Sequence, residues 1–234
     1  EKAGFTPFSI VQDQQQSFDG YGMVPNTPKS CTGMSMPMAQ ALAESRNCAT
    51  AYIMKQINGD GNEAAKELVA YLKKTNIQAD IPAYPSIALG ACEVSLFEMV
   101  QAFSMFPGRG FNVKPNFISR IEDRNGNVLA SFRAETKEVI SESEAFVMTK
   151  ILHGVVDFGT ARALRGAYSL PGQFGGKTAT PNDNADGWFI GFSPQLLSGV
   201  WVGCDDPFLR MLYTAGGSQM AMPAWAYYYQ QVFN

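Results

Sequence analysis

Histidine occurs once in the 234 residues, cysteine four times without a CxxC pair, and no apolar run approaches the ~18 residues that cross a bilayer. Each scarcity removes a class of function. A Ser/His/Asp or Cys/His set has to be built on His153, which sits in apolar helical text and reads as a hydrogen-bonded packing residue. The general base of any enzyme here is therefore expected to be Lys or a carboxylate. Without CxxC spacing there is no zinc or redox site to begin, and neither a metal nor an organic cofactor is expected. Of Cys31, Cys48, Cys92 and Cys204, the second and third lie in helical text and the last in a strand-like run, where free cysteine is a small buried hydrophobe; a disulfide among the four is the less favoured alternative. With 18 basic against 21 acidic residues, net −3, there is no cationic excess to displace counterions, so nucleic acid is not an expected partner. Residues 1–6 lack the charged-then-apolar order of a signal peptide, so an export or anchoring signal is expected outside this chain.

What is present is ordinary globular composition, 46% hydrophobic and 17% charged, enough to bury a sizeable core. Residues 1–33 are rich in Gln, Gly, Pro and Asp and read as loop and edge structure. Helical spacing covers 36–43, 47–58 and 62–75, with a break at Ser45-Arg46-Asn47. Ser95 with Glu98 and Ser141 with Glu144 are capping-box patterns, opening helices that run to Pro107-Gly108 and to about Val156. Runs at 117–122 and 128–132 flank Asn125-Gly126 and predict a peripheral hairpin. Three more runs, 173–180, 187–192 and 197–204, with turns at 181–184 and 193–194, predict consecutive antiparallel strands, and an aromatic helix over 222–233 packs on them.

Two motifs carry chemistry. Ser45-Arg46-Asn47 alone is weak, because Ser and Asn are favoured helix caps. Lys177-Thr178-Ala179-Thr180 follows two glycines that allow close backbone approach, and a lysine with two hydroxyls suits a carboxylate. Trp188 reads as sheet-helix packing, and Asp183 and Asp186 as carboxylates that satisfy turn backbone groups. Arg46, in the middle of its motif, points away, toward solvent or a buried acid.

Together the two motifs resemble those of serine acyl-transferases that combine Ser-x-x-Lys, Ser-x-Asn and Lys-Thr-Gly. The resemblance extends along the chain: Gly4-Phe5-Thr6-Pro7 with Ile10-Val11-Gln12-Asp13, Ala41-Leu42-Ala43-Glu44-Ser45-Arg46-Asn47, Val155-Val156-Asp157-Phe158-Gly159-Thr160, Asp186-Gly187-Trp188-Phe189-Ile190-Gly191-Phe192 and Gly199-Val200-Trp201-Val202-Gly203. This ordered set resembles the transpeptidase domain of class A (bifunctional) penicillin-binding proteins. There are two departures. No Ser or Thr has Lys three positions later, so the Ser-x-x-Lys motif is absent and the chain reads as truncated just after it. Ala179 stands where the family has Gly.

The resemblance implies an α+β fold over residues 1–234, an antiparallel sheet flanked by helices plus a helical lobe, lacking the N-terminal part with the nucleophile helix. It implies a D,D-transpeptidase that cross-links peptidoglycan stem peptides ending in D-Ala-D-Ala through an acyl-enzyme and that binds β-lactams, this fragment itself being inactive. Ser45, Asn47 and Lys177 would be catalytic; Thr178, Ala179 and Thr180 would bind substrate, with the Thr180 N–H in the oxyanion hole. The alternatives are a penicillin-recognising sensor or pseudoenzyme, and a D,D-carboxypeptidase or β-lactamase. An upstream glycosyltransferase domain and membrane anchor, an extracytoplasmic location, and a companion chain or self-association through an exposed lobe interface are further expectations.

Overall fold

The structure, a computed structural model, describes residues 4–25, 31–57, 61–180, 185–206, 209–210 and 216–233. The first two segments carry four three-residue strands, β1 (Ile10–Gln12), β2 (Gln16–Phe18), β3 (Gly22–Val24) and β4 (Ser35–Pro37), with β1 paired to β4 and β2 to β3. Residues 36 and 37, expected as helix, finish β4. Helix α1 (Met38–Ala43) begins behind Pro37, whose fixed φ suits a helix entry. It is followed by α2 (Asn47–Gln56) and α3 (Gly61–Lys74), then a 3-10 turn at Pro85–Leu89 and α4 (Leu96–Phe103). Ala64 and Ala65 of α3, Ala51 and Met54 of α2, Ile87 and Ala102 form one buried cluster, the core of a helical lobe.

Further along lie β5 (Phe111–Lys114), β6 (Arg120–Glu122), β7 (Val128–Ser131) and β8 (Glu135–Glu138), with β5 paired to β8 and β6 to β7. The β6–β7 hairpin is the expected one, with Gly126 at φ 84°, but its loop spans residues 123–127 and is organised by Asp123, which accepts from the N–H groups of Asn125 and Asn127. Helix α5 (Glu142–Asp157) opens on the predicted capping box. Strands β9 (Gly175–Ala179), β10 (Asp186–Phe192) and β11 (Leu197–Gly203) form an antiparallel sheet in the order β11-β10-β9. The expected turn at 181–184 lies outside the described residues.

Helix α6 (Gly217–Phe233) covers one face of this sheet. Its start precedes the expected Met222, and Pro223 lies inside it. At Gly217 the glycine has a packing cause: a Cβ there would overlap the carbonyl oxygen of Ala179 and lie 2.6 Å from that of Trp188. Trp225 and Tyr229 of α6 are fully buried, stacked at 3.7 Å, and pack with Phe174, Phe189, Val155 and Leu164 in a second core. Each lobe thus has its own apolar core, and the end of α1 and strand β9 come within hydrogen-bond distance along a line that we call the cleft.

Two polar hubs fix the helical lobe. Asn112, fully buried, donates to the carbonyls of Gln101 (2.6 Å) and Thr75 (3.3 Å) and accepts from Asn76 (2.9 Å). Glu98 completes the α4 capping box and also accepts from the N–H groups of Gln78 (2.8 Å) and Ala79 (3.1 Å), which holds its pKa at about 2. Asn112→Ala takes away a donor from the Gln101 carbonyl of α4 and from the buried Thr75 carbonyl just past α3, and a loss of roughly 2 to 3 kcal/mol is expected in urea unfolding of this chain. Because the Glu98 carboxyl is depressed on folding, its contribution is present above pH 4.5 and is lost as the pH falls toward 2. The unfolding midpoint of Glu98→Gln should therefore decline less over that window than that of the parent chain.

Candidate active site

The two motifs, 132 positions apart in sequence, meet across the cleft: Lys177 Nζ donates to Ser45 Oγ at 2.7 Å and to the Thr178 carbonyl at 2.8 Å. Ser45 owes its position to the way α1 ends. The Ser45 N–H bonds the Leu42 carbonyl (3.0 Å) and the Arg46 N–H bonds the Ala41 carbonyl (2.9 Å), a Schellman ending with Ser45 at the left-handed position. Its φ of 56° is where glycine is usual, at a cost of roughly 1 to 2 kcal/mol for a residue with a Cβ.

The side chains on either side of Ser45 clip this turn together. Arg46 donates to Glu44 at 2.9 and 2.7 Å, and the pair is partly exposed rather than buried. Hydrogen bonds from Gln40 and then Arg46 hold the Glu44 carboxyl below its ordinary range. Neither Ser45 nor Asn47 caps α2: the N-cap is Arg46, without a side-chain bond, and Asn47 occupies the first helical position, exposed and with no hydrogen bond among the described residues.

The next residue corrects the cysteine reading. Cys48, fully buried in the first turn of α2, is disulfide-bonded to Cys31 ahead of β4. The crosslink joins two segments whose text gave no hint of contact. Cys92 and Cys204 are free, but Cys204 is exposed just past β11 rather than buried in a strand. Burial pushes the Cys92 thiol up.

On β9, register and alternation sort the second motif. Lys177 pairs with Ile190 and Ala179 with Trp188, all on one face of the sheet, whereas Phe189 and Gly191, on the opposite side, face Trp225 of α6. Trp188 is thus half-buried on the same face as Lys177, opposite Trp201, and not beneath α6. Ala179 is exposed and has no positive φ, so its backbone does not require glycine; the substitution adds only a methyl group to the cleft wall. Thr178 is buried and its hydroxyl lies 2.7 Å from that of Thr160; the Thr180 hydroxyl accepts from the Gly217 N–H at 2.7 Å. Each threonine oxygen retains capacity for one more bond.

Asp186 accepts from the Trp201 indole N–H (2.9 Å) across the β10–β11 pair, while the turn amides at 181–184 and Asp183 lie outside the described residues. His153 lies on α5 with its ring 6.5 Å from Phe192, bordering a cavity of about 450 Å³ that includes none of the motif residues. Its side chain makes no hydrogen bond among the described residues, and burial, then Lys150, hold its pKa below the ordinary value. Among the described residues no group of three or more His, Cys, Asp or Glu could hold a metal, and no helix is long and apolar enough to cross a membrane.

Burial alone pushes the Lys177 pKa down to about 8 from 10.5, with no neighbouring charge contributing. Between those two values the unfolded chain holds a proton that the folded chain has released, so Lys177 makes stability rise with pH from about 8 to 10.5. Subtracting the profile of Lys177→Met from that of the parent chain should isolate this rise in urea unfolding from pH 7 to 10.5. A flat difference would mean that the ammonium is solvated in the cleft.

The arrangement can be set beside known proteins. Residues 5–203 match the family described as the penicillin binding protein transpeptidase domain. Penicillin-binding protein 1A of Neisseria gonorrhoeae is 33% identical over 240 residues, covering 96% of this chain and 28% of that protein. That of Aquifex aeolicus is 35% identical over 198 residues, covering 85% of this chain and 26% of that protein. The chain therefore spans little more than a quarter of the length of these relatives. The crystal structure of penicillin-binding protein 1A from Haemophilus influenzae superposes with a TM-score of 0.84 at 23% identity, covering 100% of this chain and 40% of that one. PonA1 from Mycobacterium tuberculosis, in complex with penicillin V, gives 0.81 at 20% identity, covering 100% of this chain and 65% of that one. With its α+β fold, its ordered motifs and a family match over most of its length, this chain belongs to the penicillin-binding protein transpeptidase family.

Proposed function

We propose that this chain is the larger part of a peptidoglycan D,D-transpeptidase site, completed in the full-length protein by the family's Ser-x-x-Lys segment. The observation that carries the reading is the 2.7 Å contact of Lys177 with Ser45 across the cleft. A lysine held to a serine hydroxyl can serve as a proton path beside an acyl-transfer nucleophile.

In this mechanism the nucleophilic serine attacks the carbonyl between the two D-alanines of a stem peptide, and its proton passes to the lysine of the same motif. Ser45 relays a proton to the departing D-alanine nitrogen, while the Lys177 ammonium supplies positive potential and a third N–H. Asn47, exposed and with no side-chain hydrogen bond among the described residues, is available to the donor's amide. Thr178 and Thr180 address the terminal carboxylate, and the Thr180 N–H stabilises the oxyanion. An amine of a second stem peptide then displaces the serine and closes the cross-link; a β-lactam halts at the acyl stage. The remainder of the protein supplies a glycosyltransferase domain and a membrane anchor, as in bifunctional homologues. The Cys31–Cys48 disulfide favours an oxidising compartment outside the cytoplasm.

Intact-mass analysis after incubation with penicillin tests the reading. One adduct is expected on the full-length protein and none on the 234-residue chain. Ser45→Ala in the full-length protein is expected to slow acylation by roughly 100-fold, the lower range for loss of a proton-transfer group. Absence of any adduct on the full-length protein would overturn the transpeptidase reading in favour of a sensor or pseudoenzyme, with the Ala179 methyl as its first cause.

A further inference from the structure

The two walls of the cleft are carried by different segments, and one residue is bonded to both. Thr160, just past α5, donates its N–H to the Ala43 carbonyl at 3.1 Å, two residues before Ser45. Its hydroxyl lies 2.7 Å from that of Thr178, the neighbour of Lys177. Gly159 makes this approach sterically feasible, since a Cβ there would overlap the Ala43 carbonyl. The Ala161 N–H then bonds the Val155 carbonyl (2.9 Å), anchoring the turn to the end of α5 within the sheet-side core. The separation of Ser45 and Lys177 is thus bridged a second time, behind the functional atoms.

We infer that Thr160 is a positioning residue for the anion-recognising hydroxyl of Thr178. The inference rests on the transpeptidase reading and adds a residue to which neither motif assigns a role. A threonine hydroxyl has one proton. For Thr178 to give that proton to a ligand carboxylate, its oxygen accepts from Thr160, and the Thr160 hydroxyl is the donor. Thr160 therefore sets the rotamer of Thr178 and polarises its O–H toward the ligand. Thr160→Val keeps the shape and the Ala43 bond and removes only this arm; Thr160→Ser keeps the arm.

The test is acylation of the full-length protein by benzylpenicillin, separated into the constant for reversible binding and the rate of acylation. Alongside it runs inhibition by a boronic acid that lacks a carboxylate. Thr160→Val is expected to weaken reversible penicillin binding by roughly tenfold, the usual size of a lost hydrogen bond that serves a charged group, while the acylation rate and boronate affinity stay within about twofold. Thr160→Ser should restore penicillin binding. With Thr178→Val the losses should be non-additive, because both variants remove the same contact. Equal weakening of penicillin and boronate would make Thr160 merely structural and overturn the inference, as would a Thr160→Val protein that reacts like the parent. If the parent protein forms no adduct with penicillin, the transpeptidase reading falls. The coupling is then read from urea unfolding of the two single variants and the double variant, where additivity overturns it.

Discussion

Lys177 stands where β9 meets the end of α1, and among the described residues no carboxylate pairs with its charge. Its ammonium is held by a serine hydroxyl from one lobe and its own strand's carbonyl. Hydroxyl and carbonyl dipoles replace only part of the hydration that burial removes, which is why its proton affinity falls. A lysine ion-paired to an acid would be stable and chemically inert. One left beside dipoles alone keeps an unsatisfied demand for negative charge, and the surrounding architecture can be understood as the means of holding it there.

That demand sets requirements on distant residues. The β9 strand must lie flat against α6, which confines position 217 to glycine. Ser45 must project from the end of α1, so the helix closes on a left-handed residue braced by Glu44 and Arg46. The start of α2 is fastened to the chain ahead of β4 through Cys31, so Asn47 is presented from a crosslinked helix end rather than from a loop. The polar hubs at Glu98 and Asn112 act farther away, fixing α4 against its neighbours within the helical lobe.

Local rules made much of this legible in the sequence. Both capping boxes formed at Ser95 and Ser141, and the three sheet strands followed from alternation and turn residues. Ser45 and Lys177 were paired in advance only through the family resemblance, since nothing in either string encodes a partner 132 positions away. Failures arose where a nonlocal contact overrode a local signal. Cys31 and Cys48 lie in unlike segments brought together by the fold, and α6 begins at Gly217, ahead of the aromatic run from Met222 that announced it. Thr160 had no signal of its own, because its significance lies in two partners drawn from opposite walls of the cleft.

The left-handed backbone at Ser45 sets folding and chemistry against each other at a single codon. Glycine would relieve the steric cost and complete the helix ending in its preferred form, yet it would delete the hydroxyl that Lys177 holds. A library sorted only for thermal tolerance or expression should accumulate glycine at position 45, whereas one sorted for survival of growing cells should retain serine. Divergence between those two outcomes would measure how much conformational discomfort selection tolerates to keep one oxygen atom in place.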